Sequence, residues 1–282
     1  MSDETRFLKA EIKRLRKKVN ELSPSLEVML GNRGFRIYKK EPSDDLVVPD
    51  RTYASAYYEK LKKYSFRLFL RDVIKHQDNF TLDTVTRFAT RRVSSGYLDF
   101  IMRAGIAEPF RNSYRLKTRP TKSFGETLEW FVAKLVRNRF RAETIWGIKF
   151  RGRPVGGDYD LIAKIESKIM YMEIKSSPPK QIYDREIAAF FNRIEDLSPD
   201  MSIFFVDTEL RMKDKIVPMF EDELRRRYKK KIPLERIVKE LFHINRKIFI
   251  INAKGGIVSN INTILAFMLN KNLIWPEKEN YT

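Results

Sequence analysis

The stretch GGDYDLIAKIESKIMYMEIKSS, residues 156–177, decides how this chain is read. Two β-prone runs flank a charged turn at Glu166 and Ser167, the pattern of a hairpin. Symmetry about that turn sets Asp160 opposite Glu173 and Asp158 opposite Lys175. Cross-strand partners share a face and neighbours along a strand alternate. All four charged residues therefore fall on one side of the hairpin, with Leu161, Ala163, Met172 and Ile174 on the other. Alternating charge usually marks a plain solvated face. Here the same face turns apolar beyond the acids, at Ile162 opposite Tyr171. A carboxylate set against a carboxylate is also destabilising unless a cation lies between them. Two acids and a lysine at the end of a partly buried strand pair thus point to a hard-metal site.

Working outward, the preceding run SFGETLEWFVAKLVRNR, residues 123–139, has helical spacing. Ser123 and Glu126 match a capping box. Leu128, Phe131, Val132, Leu135 and Val136 form the apolar stripe. Glu126 falls nearly opposite that stripe, whereas Glu129 sits at its edge and can reach over a sheet. Glu129 is the better third acid.

These pieces resemble the PD-(D/E)XK nuclease superfamily, with its restriction-endonuclease-like fold. The matching residues are Gly125 and Glu129 on a helix, then Gly157-Asp158-Tyr159-Asp160-Leu161-Ile162-Ala163, then Glu173-Ile174-Lys175. The spacing is similar to archaeal Holliday-junction resolvases and small bacterial relatives. Tyr159 stands where the name-giving proline often does, and Asp158 competes with Asp160 as the ligand. The resemblance implies a Mg²⁺ or Mn²⁺ held by Asp160 and Glu173, assisted by the Ile174 carbonyl, with Glu129 supporting a second ion or a water. It implies that Lys175 orients the attacking water, and that DNA, duplex or branched, is cut in repair, recombination or defence. Endo- or exonucleolytic cutting, and DNA or RNA, stay open.

Beyond the hairpin the pattern is α/β. Strands are expected at 143–150, 156–163, 169–176, 202–207 and 247–252, and helices at 181–196, 213–229, 233–242 and 257–270. The fold class is a mixed α/β (α+β) domain over 120–282 with a central sheet flanked by helices. Lys180 and Gln181, at a helix start after Pro178 and Pro179, are candidate phosphate contacts, although helix-start residues need no such role.

Before this lies a winged helix-turn-helix pattern over 60–119. A first helix runs through Phe69, Val73 and Ile74, and a second from Thr81 uses Leu82, Val85 and Phe88. A third spans Ser94 to Ala104, Gly105 stops it, and IAEPFRNSYRLK forms a hairpin wing. Such a module lays its last helix in the major groove, which makes Arg87, Arg91, Arg92, Arg111 and Arg115 candidate DNA contacts. Winged helices also bind proteins. Residues 31–59 read as a connector. In residues 1–30, Leu8, Ile12, Leu15, Val19 and Leu22 form a short seam that either dimerises the chain as a coiled coil or lies on its own body.

Composition agrees. The 282 residues hold 56 Lys and Arg against 37 Asp and Glu, a formal charge of +19. From Lys60 to Ser123 there are 15 Lys and Arg against 5 Asp and Glu, so over half the surplus is local. A patch of that kind suits a polyanion. The chain has no cysteine and only two histidines, which removes disulfides, thiolate zinc sites and multi-histidine centres. No bilayer-spanning run or signal peptide is apparent, so a cytoplasmic or nucleoid location is expected. The rival class is a non-catalytic DNA-binding regulator or repair-complex scaffold.

Overall fold

The computed structural model describes residues 3–269. Residue 270 of the expected last helix and residues 271–282 lie outside the described residues. The elements run α1 (Asp3–Leu22), α2 (Leu26–Asn32), β1 (Ile37–Lys39), α3 (Ala54–Leu61), α4 (Tyr64–Lys75), α5 (Arg91–Arg103), β2 (Ala107–Phe110), β3 (Ser113–Leu116) and α6 (Gly125–Phe140). They continue with β4 (Glu143–Phe150), β5 (Tyr159–Ile165), β6 (Lys168–Lys175), α7 (Asp184–Leu197), β7 (Met201–Val206), α8 (Ile216–Tyr228), β8 (Glu235–Val238), β9 (Leu241–Ile244), β10 (Ile248–Asn252) and α9 (Ile257–Leu269). The result is a mixed α/β protein built on one large mixed sheet with helices on both faces. Among the described residues no helix is long and apolar enough to cross a membrane.

The sheet has eight strands in the order β1-β4-β5-β6-β7-β10-β9-β8. β4, β5 and β6 pair antiparallel, whereas β6–β7, joined through α7, and β7–β10, joined through α8 and the β8–β9 hairpin, are parallel. The β5–β6 register is the one the symmetric hairpin predicts, with Leu161 opposite Met172, Ile162 opposite Tyr171 and Ile165 opposite Lys168. Glu166 and Ser167 both take left-handed backbone, φ +54° and +78°, as a two-residue turn between right-twisted strands requires. The two outermost strands are short, β1 with three residues and β8 with four, and each pairs with a register shift.

Two apolar layers cover the sheet. Leu161, Ala163, Met170, Met172 and Ile174 pack toward α6, where Leu128, Phe131, Val132, Leu135 and Val136 are buried. Ile162, Tyr171, Phe204 and Val206 pack toward α7 and α8, against Ile187, Phe190, Phe191 and Phe220. The first layer runs on without a break into α3, α4, α5 and the β2–β3 hairpin.

Some expected elements differ. The expected helix at 233–242 is instead the β8–β9 hairpin. Leu234, Ile237, Val238 and Leu241 have helical spacing, but Lys239 turns left-handed at φ +50° and breaks the run into two strands. The second helix of the expected winged module is a single 3-10 turn, Asp83–Val85. Val85 is buried there and Leu82 packs partly against the core, while Phe88 is 52% exposed, so the expected three-residue stripe is incomplete. Of the flanking parts, α4 buries Phe69, Val73 and Ile74, and α5, which begins at Arg91 rather than the expected Ser94, buries Leu98 and Ile101, with Gly105 following it at φ +69°. A bridge between Phe80 and Tyr114 ties the hairpin back to the turn. The capping box does not form, because α6 begins one residue late. Ser123 Oγ accepts from Gly125 N, and Glu126 accepts from Asp45 N at 2.9 Å. The connector contributes the edge strand β1 and the helix α3. On α1 the seam is open to solvent, with Leu8, Ile12, Leu15, Val19 and Leu22 each about half exposed or more.

Polar links tie the helical part to the rest of the protein. Arg67 of α4, 2% exposed, grips the fully buried Asp207 just after β7. Its Nε lies 3.0 Å from both carboxylate oxygens and its Nη2 2.7 Å from Oδ1. Gln77 ties it to the segment before α6, its side chain both donating to and accepting from the backbone of Thr121.

Candidate active site

The charged ends of β5 and β6 meet where the hairpin opens, and this is where the expected acids collect. Asp160 sits at the second residue of β5, and continuing the register puts it opposite Glu173. Its Oδ2 accepts a hydrogen bond from Ile174 N at 2.7 Å, so the carboxylate lies across the β6 backbone between Glu173 and Lys175. Glu173 is 2% exposed and faces the α7 side, in line with Tyr171 two residues before it. Lys175 Nζ is 2.9 Å from Glu173 Oε1 and 3.3 Å from Glu186 of α7.

Glu129 reaches the site from α6, over the backbone of Gly147 in β4. Gly147 has φ +56°, and a Cβ there would stand 2.3 Å from Pro42 Cδ and 3.7 Å from Glu129 Oε2. The bare glycine thus lets the connector cross the strand and leaves room for the Glu129 carboxylate. Burial first, and then the charges of Asp160 and Glu173, push the Glu129 carboxyl well above the usual carboxylate range. Burial, followed by the charge of Glu173, pushes Asp160 up to about 7. Neither Glu129 nor Asp160 is in an ion pair among the described residues. Asp158, the rival ligand, is half exposed and pairs with Lys149 at 3.1 Å.

The sequence reading missed Arg193. This α7 residue places Nη1 3.0 Å from Glu173 Oε2 and 3.2 Å from Oε1. The Tyr171 hydroxyl also donates to Glu173. Gly157, at φ +91°, makes room, since a Cβ there would lie 2.5 Å from Arg193 Nη2. One signal was present. Glu186, Phe190, Arg193 and Leu197 share a helical face, and a basic residue on a buried stripe needs a buried partner. Glu173 is therefore saturated by two cations and a phenol. Among the described residues no three His, Asp or Glu side chains come close enough together to cage a metal ion.

The candidate nucleic-acid residues lie elsewhere. Arg87, Arg91, Arg92 and Arg111 are exposed around the start of α5 and the tip of the hairpin, and Arg115 is half-buried. Arg91 pairs with Asp83, and Arg115 pairs with Glu108 at 2.7 Å while lying over the Phe110 ring. Lys180 is exposed on a separate 3-10 turn after β6, and its carbonyl accepts from Lys215 Nζ at 2.9 Å.

Neither a protein-family model nor a curated protein matches the chain. Among solved structures it is similar to Can2 from Sulfobacillus thermosulfidooxidans in complex with cyclic tetra-adenylate, at 16% identity and a TM-score of 0.43, over 66% of this chain and 53% of Can2. It is also similar to protein VC1899 from Vibrio cholerae, at 14% identity and a TM-score of 0.39, over 67% of this chain and 53% of VC1899. The chain thus spans about half the length of the structures it matches.

Proposed function

We propose that this chain is a divalent-metal-dependent nuclease acting on DNA. The observation that carries the reading is the pair Glu129 and Asp160. Both are partly buried, burial and neighbouring acids make both hold their protons unusually tightly, and neither is in an ion pair among the described residues. A hard divalent ion relieves such a pair. Mg²⁺ needs few protein carboxylates because it keeps several waters. The donor set therefore fits Mg²⁺ or Mn²⁺, which Glu129 and Asp160 would hold with Glu173 beside them. When bound, the ion supplies positive charge to the phosphate oxygens on which negative charge builds.

The remaining roles belong to residues of the chain. Burial works against the charge on Lys175, but Glu173 and Asp160 outweigh it and keep the ammonium protonated. An ammonium held between Glu173 and Glu186 attracts the scissile phosphate and donates to the attacking water. Arg193, on the other side of Glu173, fixes that carboxylate's orientation. The exposed arginines of α5 and the hairpin hold the duplex through its phosphates, with α5 as the groove-facing helix. The open seam on α1 would pair two copies and bring two sites to one duplex.

One observation favours a second reading, a DNA-binding protein without catalysis. A Glu173 already saturated by Arg193, Lys175 and Tyr171 has no need of a metal. Incubation with supercoiled, linear, single-stranded and four-way-junction DNA, in Mg²⁺, Mn²⁺ or EDTA, separates the two. Metal-dependent cutting is expected, lost in Glu129→Gln, Asp160→Asn and Lys175→Ala while DNA binding persists. Binding without cutting in any metal would leave the second reading standing.

A further inference from the structure

A pocket of about 570 Å³ opens between the starts of α7 and α8. Ile182 and Met219 give it apolar walls, and Tyr183, 55% exposed, lines it as well. The Arg185 guanidinium lies 5.4 Å from the centre of the Tyr183 ring, and Lys215 Nζ lies 5.8 Å from it. Among the described residues neither cation is in an ion pair, and Lys215 instead donates to the carbonyl of Lys180. Asp184 is the acid of the lining, set against these two cations.

One carboxylate ties the pocket to the candidate active site. Glu186 Oε1 lies 3.3 Å from Lys175 Nζ, while its Oε2 accepts from the Tyr183 backbone N–H at 2.9 Å. The tyrosine thus stands one carboxylate away from the lysine that would meet the scissile phosphate. None of Glu129, Asp160, Glu173 or Lys175 lines the pocket itself.

An exposed aromatic side chain standing singly needs no explanation. A ring with two cations around it, next to a phosphate-attracting lysine, has the two parts that single-stranded nucleic acid uses. These are a π-face for a base and positive charge for the backbone. Bases stacked and paired inside a duplex offer the ring no free face, so the pocket discriminates in favour of an unpaired nucleotide.

We infer that this pocket holds an unpaired nucleotide of the DNA strand that enters the candidate site. Its base stacks on Tyr183 and its phosphate meets Arg185 and Lys215. The substrate class is then duplex DNA with a single-stranded extension rather than blunt duplex. The placement beside the cut rests on the nuclease reading, whereas the binding of an unpaired nucleotide does not.

The test is fluorescence anisotropy of the full chain in EDTA, with labelled blunt duplex and with the same duplex carrying a short thymidine overhang. Tyr183→Ala, Tyr183→Phe and Arg185→Ala run alongside, all at exposed positions. The overhang should tighten binding about tenfold, Tyr183→Ala should erase that gain, and Tyr183→Phe should keep it. Arg185→Ala should reduce the salt slope of overhang binding by about 0.7, as loss of one single-strand phosphate contact implies. No gain from the overhang, a gain that survives in Tyr183→Ala, or a salt slope unchanged in Arg185→Ala would overturn the assignment. Because this readout needs no cleavage, the two readings fail separately. An overhang gain lost in Tyr183→Ala, in a protein that cuts nothing in any metal, would keep the nucleotide site and strike the nuclease. Metal-dependent cutting indifferent to the overhang and to Tyr183→Ala would do the reverse.

Discussion

Replacing Asp207 by alanine tests whether the helical part and the sheet are held by one buried ion pair. Arg67 is 2% exposed and Asp207 is fully buried. The guanidinium makes three contacts to the carboxylate at 2.7–3.0 Å and a fourth, through Nη1, to the carbonyl of Leu61 at 2.7 Å. Removing the carboxylate strands a charge where water does not reach, which costs about 3–5 kcal/mol. That is a large share of the roughly 5–15 kcal/mol that holds a domain folded. With a urea slope of about 3 kcal/mol/M, the unfolding midpoint should fall by about 1–1.7 M. The double variant Arg67→Met with Asp207→Leu removes both charges and keeps the volume, so it should return to within about 1 kcal/mol of the parent or exceed it. Urea unfolding followed by circular dichroism reads both. An Asp207→Ala loss below about 1 kcal/mol, or a double variant weaker than the single, would refute the reasoning.

Two further predictions concern the site. Because Asp160 is pushed up to about 7 in the folded chain, against about 3.9 when unfolded, the native state holds an extra proton between those values. Its contribution is full below about pH 4 and is lost as pH rises through 7, by up to about 4 kcal/mol. Melting in EDTA should therefore fall from pH 5 to pH 8, and Mg²⁺ should raise it more at pH 8 than at pH 5. Equal Mg²⁺ shifts at both pH values would count against a metal at Asp160. Gly147→Ala adds a methyl 2.3 Å from Pro42 Cδ at a φ of +56°, so strain and overpacking together should cost about 2–4 kcal/mol in thermal melts. A change under about 0.5 kcal/mol would show that the connector does not press on that strand.

Much of the β5–β6 hairpin was legible because two signals agreed there. Alternation assigned the faces, and the short charged turn fixed the register, so the positions of Asp160 and Glu173 followed from counting. The stripe of α6 and the apolar runs of β7 and β10 were legible for similar reasons. Failures came where one signal served two structures. The run Leu234–Leu241 suits a helix or a hairpin, and the choice rests on one left-handed residue, Lys239. β1 is only three residues long, too short for any period. Arg193 was missed because burial of a charge is decided by packing between distant segments. The gap at Gly157 that admits Arg193 is invisible until α7 lies over the sheet.

The outer strands of the sheet bear on how the protein behaves when concentrated. β1 and β8 offer three and four residues of free ladder, each interrupted by a register shift. A passing chain seeking to extend the sheet would find few in-line amide and carbonyl groups on either side. Six longer or better-protected strands are thereby shielded from templating fibrous growth. Turbidity and thioflavin signal should accordingly stay low in concentrated native protein, with any clumping traced to charge or to side-chain contacts.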